Sequence, residues 1–454
     1  MLFRNRKTRA KAFAAVAAVA AVGLALAGCS GSSSTASAGS PTKGNITWWG
    51  WTPTTDLASN LIKEFNKQYP NIHVTYKNFQ DQAFASALRP ALASSVGPDV
   101  FDTLVGGSGA AISIYGVDAV NLTPAMEKLR GADWKKGLYP AGVTDFTVKG
   151  QLKGVPVGKV TSGFMWMNAA LMNKLNLKEP KTLAQWTSEC KVIRAAGDGC
   201  LTEGVDAAGF EVDTLHSIAN SVDPGYWTKA TNGTAKWTAP QMVKTLSIWK
   251  ALDSDGILNP GSLGIQQYPD ANNNFLSGKS AFVQMGTWYR QYADVPGLTA
   301  GLQAAGVSSS TAKVPLVPVP FPNVAGHVGE LFGDPDYGVS VNRKSKEIPA
   351  ATTFALWLGA TTEGQQVIAN NLDEDPVLES VKADLSKVTL VDPKVQSPYL
   401  NALATTLSKG VTEPRLANIS AGLDQALEDA AASVIGGQAT PAQAVQTLQG
   451  ASGQ

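Results

Sequence analysis

From Asn45 onward, short apolar runs alternate with amphipathic stretches, and this pattern constrains the fold more than any other feature of the chain. Ile46-Thr47-Trp48-Trp49 reads as a strand ending at Gly50. Leu57, Leu61, Ile62 and Phe65 then share one face of a helix, and Asn71 to Tyr76 alternates apolar and polar residues like a half-buried strand. Together they make a βαβ unit. Asp99-Val100-Phe101, after Gly97-Pro98, and Gly154 to Val157 continue the pattern, which implies a parallel or mixed sheet covered by helices on both faces. The middle of the chain is more helical. Thr182 with Gln185 opens one helix through Trp186, Cys190 and Ile193; Pro240 and Pro349 suit the first turns of two more, and Thr440, Pro441 and Gln443 repeat the pattern near the C-terminus.

Two segments interrupt this alternation. Pro315 to Pro322 (PLVPVPFP) carries four prolines in eight residues, so it is extended and excluded from a central strand position. Gly158 to Gly163 leads from one strand into a loop and then into Phe164-Met165-Trp166-Met167. Each reads as a crossover between two lobes built from discontinuous sequence. With 454 residues, 44% hydrophobic and 16% charged, the chain is long and apolar enough for large cores and too apolar for disorder. A formal charge of +1 offers no basic field for nucleic acid.

The N-terminus carries an address. Arg4, Arg6, Lys7, Arg9 and Lys11 precede Ala12 to Ala27, an uncharged run too short for a membrane span, which is the layout of a secretory signal. Leu26-Ala27-Gly28-Cys29 resembles the lipobox of bacterial lipoproteins, which implies cleavage after residue 28 and acyl chains on Cys29. Removing residues 1–28 takes five cations from 37 and leaves 32 against 36 acidic residues, a mildly acidic exported domain of net charge −4. Residues 29–43 are rich in Ser, Gly and Ala and read as a flexible tether. Cys190 and Cys200, nine intervening residues apart in an exported protein, are expected to form a disulfide. His73, His216 and His327 are scattered, so a metal site is not expected.

The ordered segments Leu61 to Asn71, Gly97-Pro98-Asp99-Val100, Gly150 to Pro156, Trp166-Met167-Asn168, Pro180 to Trp186, Phe275 to Phe282 with Gly286-Thr287-Trp288, and Gly338 to Lys346 resemble the carbohydrate-type extracellular solute-binding proteins of ABC importers, the maltose-binding-like group. Met167 departs from the group, which often has Tyr there. The resemblance implies an α/β, two-lobed periplasmic-binding-protein-like fold of type II. Its first lobe comprises residues 44–159 plus 312–362, and its second comprises 160–311 plus 363–450. It further implies a sugar or oligosaccharide bound in the cleft between the lobes, delivery to permease subunits driven by a separate ATPase, and no catalysis or cofactor. The receptor is expected to be a monomer anchored at the extracellular face of a bacterial membrane.

A sugar presents hydroxyls for bidentate hydrogen bonds and an apolar C–H face for an aromatic ring, so a sugar cleft wants Trp or Tyr beside acids and amides. Trp288 aligns with the family's stacking Trp, and Trp49 and Trp51 flank Gly50 at a strand end, where α/β folds place ligands. Asp81, Gln82 and Asp102 follow first-lobe strands. Glu211 resembles a family position that contacts sugar; Asp334, Asp336 and Tyr337 form a turn entering a strand; Trp227 is a rim candidate. Trp48, Trp186, Trp249 and Trp357 read as core. A polyol, a glycerol phosphate bound at Arg290, or a polyamine are alternative ligands for the same fold. A secreted glycoside hydrolase would need two carboxylates facing one bond, and no hydrolase signature accompanies any such pair. No nucleophile elbow or phosphate loop is present.

Overall fold

The computed structural model describes residues 39–94, 96–107, 109–206, 210–308, 313–411 and 413–453, apart from the side chains of Asp81 and Gln82. The expected signal segment, the expected lipidation site Cys29 and most of the expected tether lie outside these residues. The fourteen strands in chain order are β1 (Gly44–Gly50), β2 (Ile72–Asn78), β3 (Val100–Leu104), β4 (Thr147–Val148), β5 (Gln151–Leu152), β6 (Val155–Pro156), β7 (Gly158–Ser162), β8 (Phe164–Asn168), β9 (Gly199–Thr202), β10 (Ser280–Gln284), β11 (Leu316–Pro320), β12 (Phe332–Pro335), β13 (Tyr337–Val341) and β14 (Asp375–Pro376).

The opening βαβ unit forms as its periodicity predicts. Helix Thr55–Gln68 buries Ala58, Leu61 and Phe65, and β1 pairs parallel to β2 from Gly44 opposite Ile72 to Gly50 opposite Asn78. The first sheet runs β2-β1-β3-β13-β6, with β13 antiparallel to both β3 and β6. Its core sets Phe65 edge-on to Phe354 and Trp357 from helix Ile348–Ala360, and Trp48 edge-on to Phe354. The second sheet runs β11-β8-β10-β9. Trp186 sits edge-on to Phe282 and Phe321 in its core, and the buried Trp249 indole donates to the carbonyl of Ala431 at 3.0 Å. The C-terminal helices Ala421–Ile435 and Pro441–Ala451 pack into the same core. Cys190, on helix Leu183–Ala195, is disulfide-bonded to Cys200 on β9.

A third, small sheet, β12-β7-β14, lies between the other two along the chain. β7 links β6 of the first sheet to β8 of the second, β12 leads back from β11 to β13, and β14 lies on a third passage. The prolines of the 315–322 segment explain its position: β11 takes a sheet edge, where a missing N–H breaks no ladder. Two stretches differ from the expected lobe boundaries. β11, expected with the first lobe in 312–362, pairs with β8 in the second sheet. Residues from 363 to 381, expected with the second lobe, bury Ile368, Ala369, Val377, Leu378 and Val381 in the first core, because their apolar side chains complete the cover of helix Ile348–Ala360. Among the described residues no helix is long and apolar enough to cross a membrane.

Candidate functional site

The C-terminal ends of β1 and β2 and the loop after β3 point into one cavity of about 1070 Å³. Trp51, Thr52, Asn78, Phe79, Leu104 and Gly107 line it from the first sheet. Phe210, Tyr268, Asn272, Trp288 and Gln291 face them from the second-sheet side; Asp336, Asp373 and Glu374 come from the crossings, and Arg415, Leu416, Asp424 and Glu428 from the C-terminal part. The cavity thus draws its wall from both sheets, so relative motion of the two would change its shape. Its volume is at or just above the upper end of the range for small-molecule sites.

Trp51 and Trp288 supply large aromatic faces from opposite sides. Trp51 is held from behind, with Phe84 at 5.3 Å and the buried ring of Tyr337 at 6.3 Å. Trp288 follows β10 on a 3₁₀ turn, Thr287–Ala293. It packs against Gly286, where a Cβ would overlap its ring. Its indole N–H donates to the Tyr268 hydroxyl at 3.2 Å, and the Arg415 guanidinium carbon lies 5.1 Å from its ring centroid. Arg415 is fixed in turn by Nε, 2.9 Å from both carboxylate oxygens of the buried Asp213.

The crossings supply buried acids. Asp373 accepts from Gln291 Nε2 at 2.5 Å and from Thr52 Oγ1 at 3.3 Å, which ties residues of the third crossing to the ends of both large sheets. Burial, with repulsion from Asp336, pushes its carboxyl up to about 7. Burial also raises Asp336, and burial plus the charges of Asp336 and Asp373 raises Glu374 well above the ordinary carboxylate range. Among the described residues the wall holds seven acidic side chains against two basic ones, Lys387 and Arg415, so acids outnumber bases on a surface with aromatic ends, though burial keeps part of the acids protonated.

Several residues singled out from the sequence sit off this wall. Trp49 turns to the opposite face of β1 from Trp48 and packs against Phe79 at 5.0 Å, with Lys77 Nζ 4.4 Å above its ring. Asp102 lies inside β3 rather than after it; its buried carboxyl, pushed well up by loss of water, accepts from Trp48 Nε1 at 2.7 Å and abuts Gly50. Glu211 is the first residue of helix Glu211–Val222 and is buried behind the cavity, where loss of water pushes its carboxyl well up. Trp227 is core rather than rim, because its ring stacks on His216 at 5.0 Å and 14°. Asp334 fastens the loop after Arg415 to β12 by accepting from the backbone N–H groups of Leu416 and Ala417. Tyr337 supports Trp51 from the core. Arg290 is committed to Asp375 at 2.9 Å. The side chains of Asp81 and Gln82 lie outside the described residues. Of the expected residues, Trp51 and Trp288 reach the wall, together with Asp336 from the 333–338 turn. Sequence reasoning missed Phe210, Tyr268, Asp373, Glu374 and Arg415; only the aromatic character of the first two hinted at a role.

Residues 51–366 match the family model described as bacterial extracellular solute-binding protein. An uncharacterised ABC transporter extracellular-binding protein of Pyrococcus horikoshii is 23% identical over 347 residues, 73% of this chain and 79% of that protein. Among solved structures, one described for xylan utilisation by Caldanaerobius polysaccharolyticus aligns with a TM-score of 0.70 at 19% identity, covering 89% of this chain and 99% of that one. A chitin oligosaccharide binding protein aligns at 0.68 and 19%, covering 90% and 98%. A maltose-bound protein of T. maritima aligns at 0.67 and 18%, covering 89% and 98%. These structures share the two-lobed, type II binding-protein fold. With a family match across most of its length and a cavity walled by both sheets, the chain belongs to the bacterial extracellular solute-binding proteins, receptors rather than enzymes.

Proposed function

We propose that the protein captures a sugar or oligosaccharide in the cavity between its two sheets and delivers it to an ABC permease. The observation that carries this reading is the wall itself: Trp51 and Trp288 at opposite sides, with Asn78, Asn272, Gln291 and the crossing carboxylates between them. Aromatic rings cover the C–H faces of pyranose units, and acids and amides receive their hydroxyls. Closure about β7, β12 and β14 would bury the ligand and exclude water, strengthening each hydrogen bond. Structural neighbours described with maltose, chitin oligosaccharide and xylan agree with this substrate class. In this reading the two large sheets with their cores are the lobes, and acyl chains on Cys29 hold a monomeric receptor at the outer face of the cell membrane.

The excess of acids on the wall supports a second reading, a polyamine, and runs against a glycerol phosphate. A thermal-shift screen of the protein lacking residues 1–38 separates them, since a ligand that binds only the folded state raises the midpoint by mass action. A neutral oligosaccharide series is expected to raise it and to change tryptophan fluorescence, with both responses lost in Trp288→Ala. A response to spermidine alone overturns the sugar reading. For the anchor, labelled fatty acid is expected in the full-length protein expressed in bacteria and absent from Cys29→Ser.

A further inference from the structure

Arg415 has three features that no other residue of the wall combines. Its side chain is only 11% exposed, yet it lines the cavity. Its Nε is spent on Asp213, while among the described residues neither terminal nitrogen has a protein acceptor. Its planar group also lies beside the Trp288 ring, which is itself oriented by Tyr268 and Gly286. A guanidinium fixed at one nitrogen keeps a rigid fork of four further N–H donors. Here that fork borders the cavity next to an aromatic ring. A ligand unit that reaches Trp288 therefore meets Arg415 at the same time.

The charges around Arg415 decide what the fork receives. Asp213, paired with its Nε, already balances its single positive charge, and Asp336 and Asp334 bear on it as well. A carboxylate or phosphate on the ligand would gain two hydrogen bonds but would also face these acids and the acidic wall, which disfavours like charge. Neutral oxygens accept the same donors without that repulsion. Resting on the sugar reading above, we propose that Arg415 is the specificity-determining residue of the cleft. Its terminal amines donate to two neighbouring hydroxyl oxygens of the saccharide unit placed against Trp288, and the site selects uncharged saccharides over uronates and sugar phosphates.

The test titrates the wild-type protein lacking residues 1–38 with maltotriose, xylotriose and chitotriose, following tryptophan fluorescence. The trisaccharide that binds is then compared with its terminal uronic acid and with monodeoxy analogues. Arg415→Lys retains the charge that pairs with Asp213 but loses the planar fork, and is expected to weaken binding at least about thirtyfold, a site built around hydrogen bonds being intolerant of a lost partner. One monodeoxy analogue is expected to bind wild type and Arg415→Lys within about threefold of each other, and the uronic acid to bind wild type at least about tenfold more weakly than the neutral sugar. If Arg415→Lys also lowers the melting point, the ratio of sugar to deoxy-sugar affinity decides, because general loosening weakens both alike. Binding by Arg415→Lys within about threefold of wild type, or a uronic acid that binds as well as the neutral sugar, overturns the inference and leaves the sugar reading standing. If none of these trisaccharides and no sugar of the thermal-shift screen binds wild type, the sugar reading fails and takes this inference with it.

Discussion

Trp227 and Trp288 look alike in sequence, each beside a tyrosine close to a Gly-containing loop, but they are surrounded differently. Trp227 is sealed between His216 and Trp237, whereas Trp288 keeps part of its ring on the cavity. Trp227→Ala is expected to cost about 3–5 kcal/mol in urea unfolding, the usual cost of deleting a buried aromatic ring, with ligand affinity preserved in the fraction that folds. Trp288→Ala should show the reverse, a smaller stability loss and a large loss of binding. Asp102 offers a separate test. Its carboxyl, which burial pushes well above the ordinary range, takes the Trp48 indole as donor, so Trp48→Phe removes that partner and is expected to cost about 1–3 kcal/mol. An unchanged unfolding midpoint would show that the indole hydrogen bond is not what stabilises that carboxyl group.

The elements most legible in the sequence are those whose signals are local. Thr440 accepts from Gln443 N and the Gln443 side chain returns to Thr440 N, the reciprocal cap expected from that pair, so Thr440→Ala should cost about 1 kcal/mol. The Cys190–Cys200 bridge staples helix Leu183–Ala195 to β9, and replacing both cysteines by serine should lower stability by about 2–3 kcal/mol, read by urea unfolding. The less legible elements depend on distant partners. β13 inserts between β3 and β6, so its place depends on residues far away in sequence, and β14 is two residues long with no periodicity to detect. The same difference divides the site. Trp51 and Trp288 follow strands and could be located from those strands, whereas Asp373, Glu374 and Arg415 lie in crossings and loops whose positions only the assembled fold defines. Asp102 was misplaced for a local reason: β3 extends to Leu104, so a residue expected beyond the strand lies within it.

For the whole molecule, the buried acids give a pH signature. Desolvation pushes Asp334 up to about 6, Asp373 to about 7 and Glu203 to about 8. In the unfolded chain such groups titrate near about 4, so above that pH the folded state holds the extra protons and stability falls as they are released. The ligand-free melting temperature should therefore decline from pH 5 to pH 8.5; a flat or rising profile would contradict this protonation pattern. The three crossings also govern the order of assembly. As the chain is synthesised from its N-terminus, β1, β2, β3 and β6 are present early, but the position between β3 and β6 stays empty until residues 337–341 arrive. The second core likewise waits for helices Ala421–Ile435 and Pro441–Ala451. Neither half can complete its interior while the nascent chain is still short, so the polypeptide is expected to stay threadable through a narrow pore until synthesis is nearly finished.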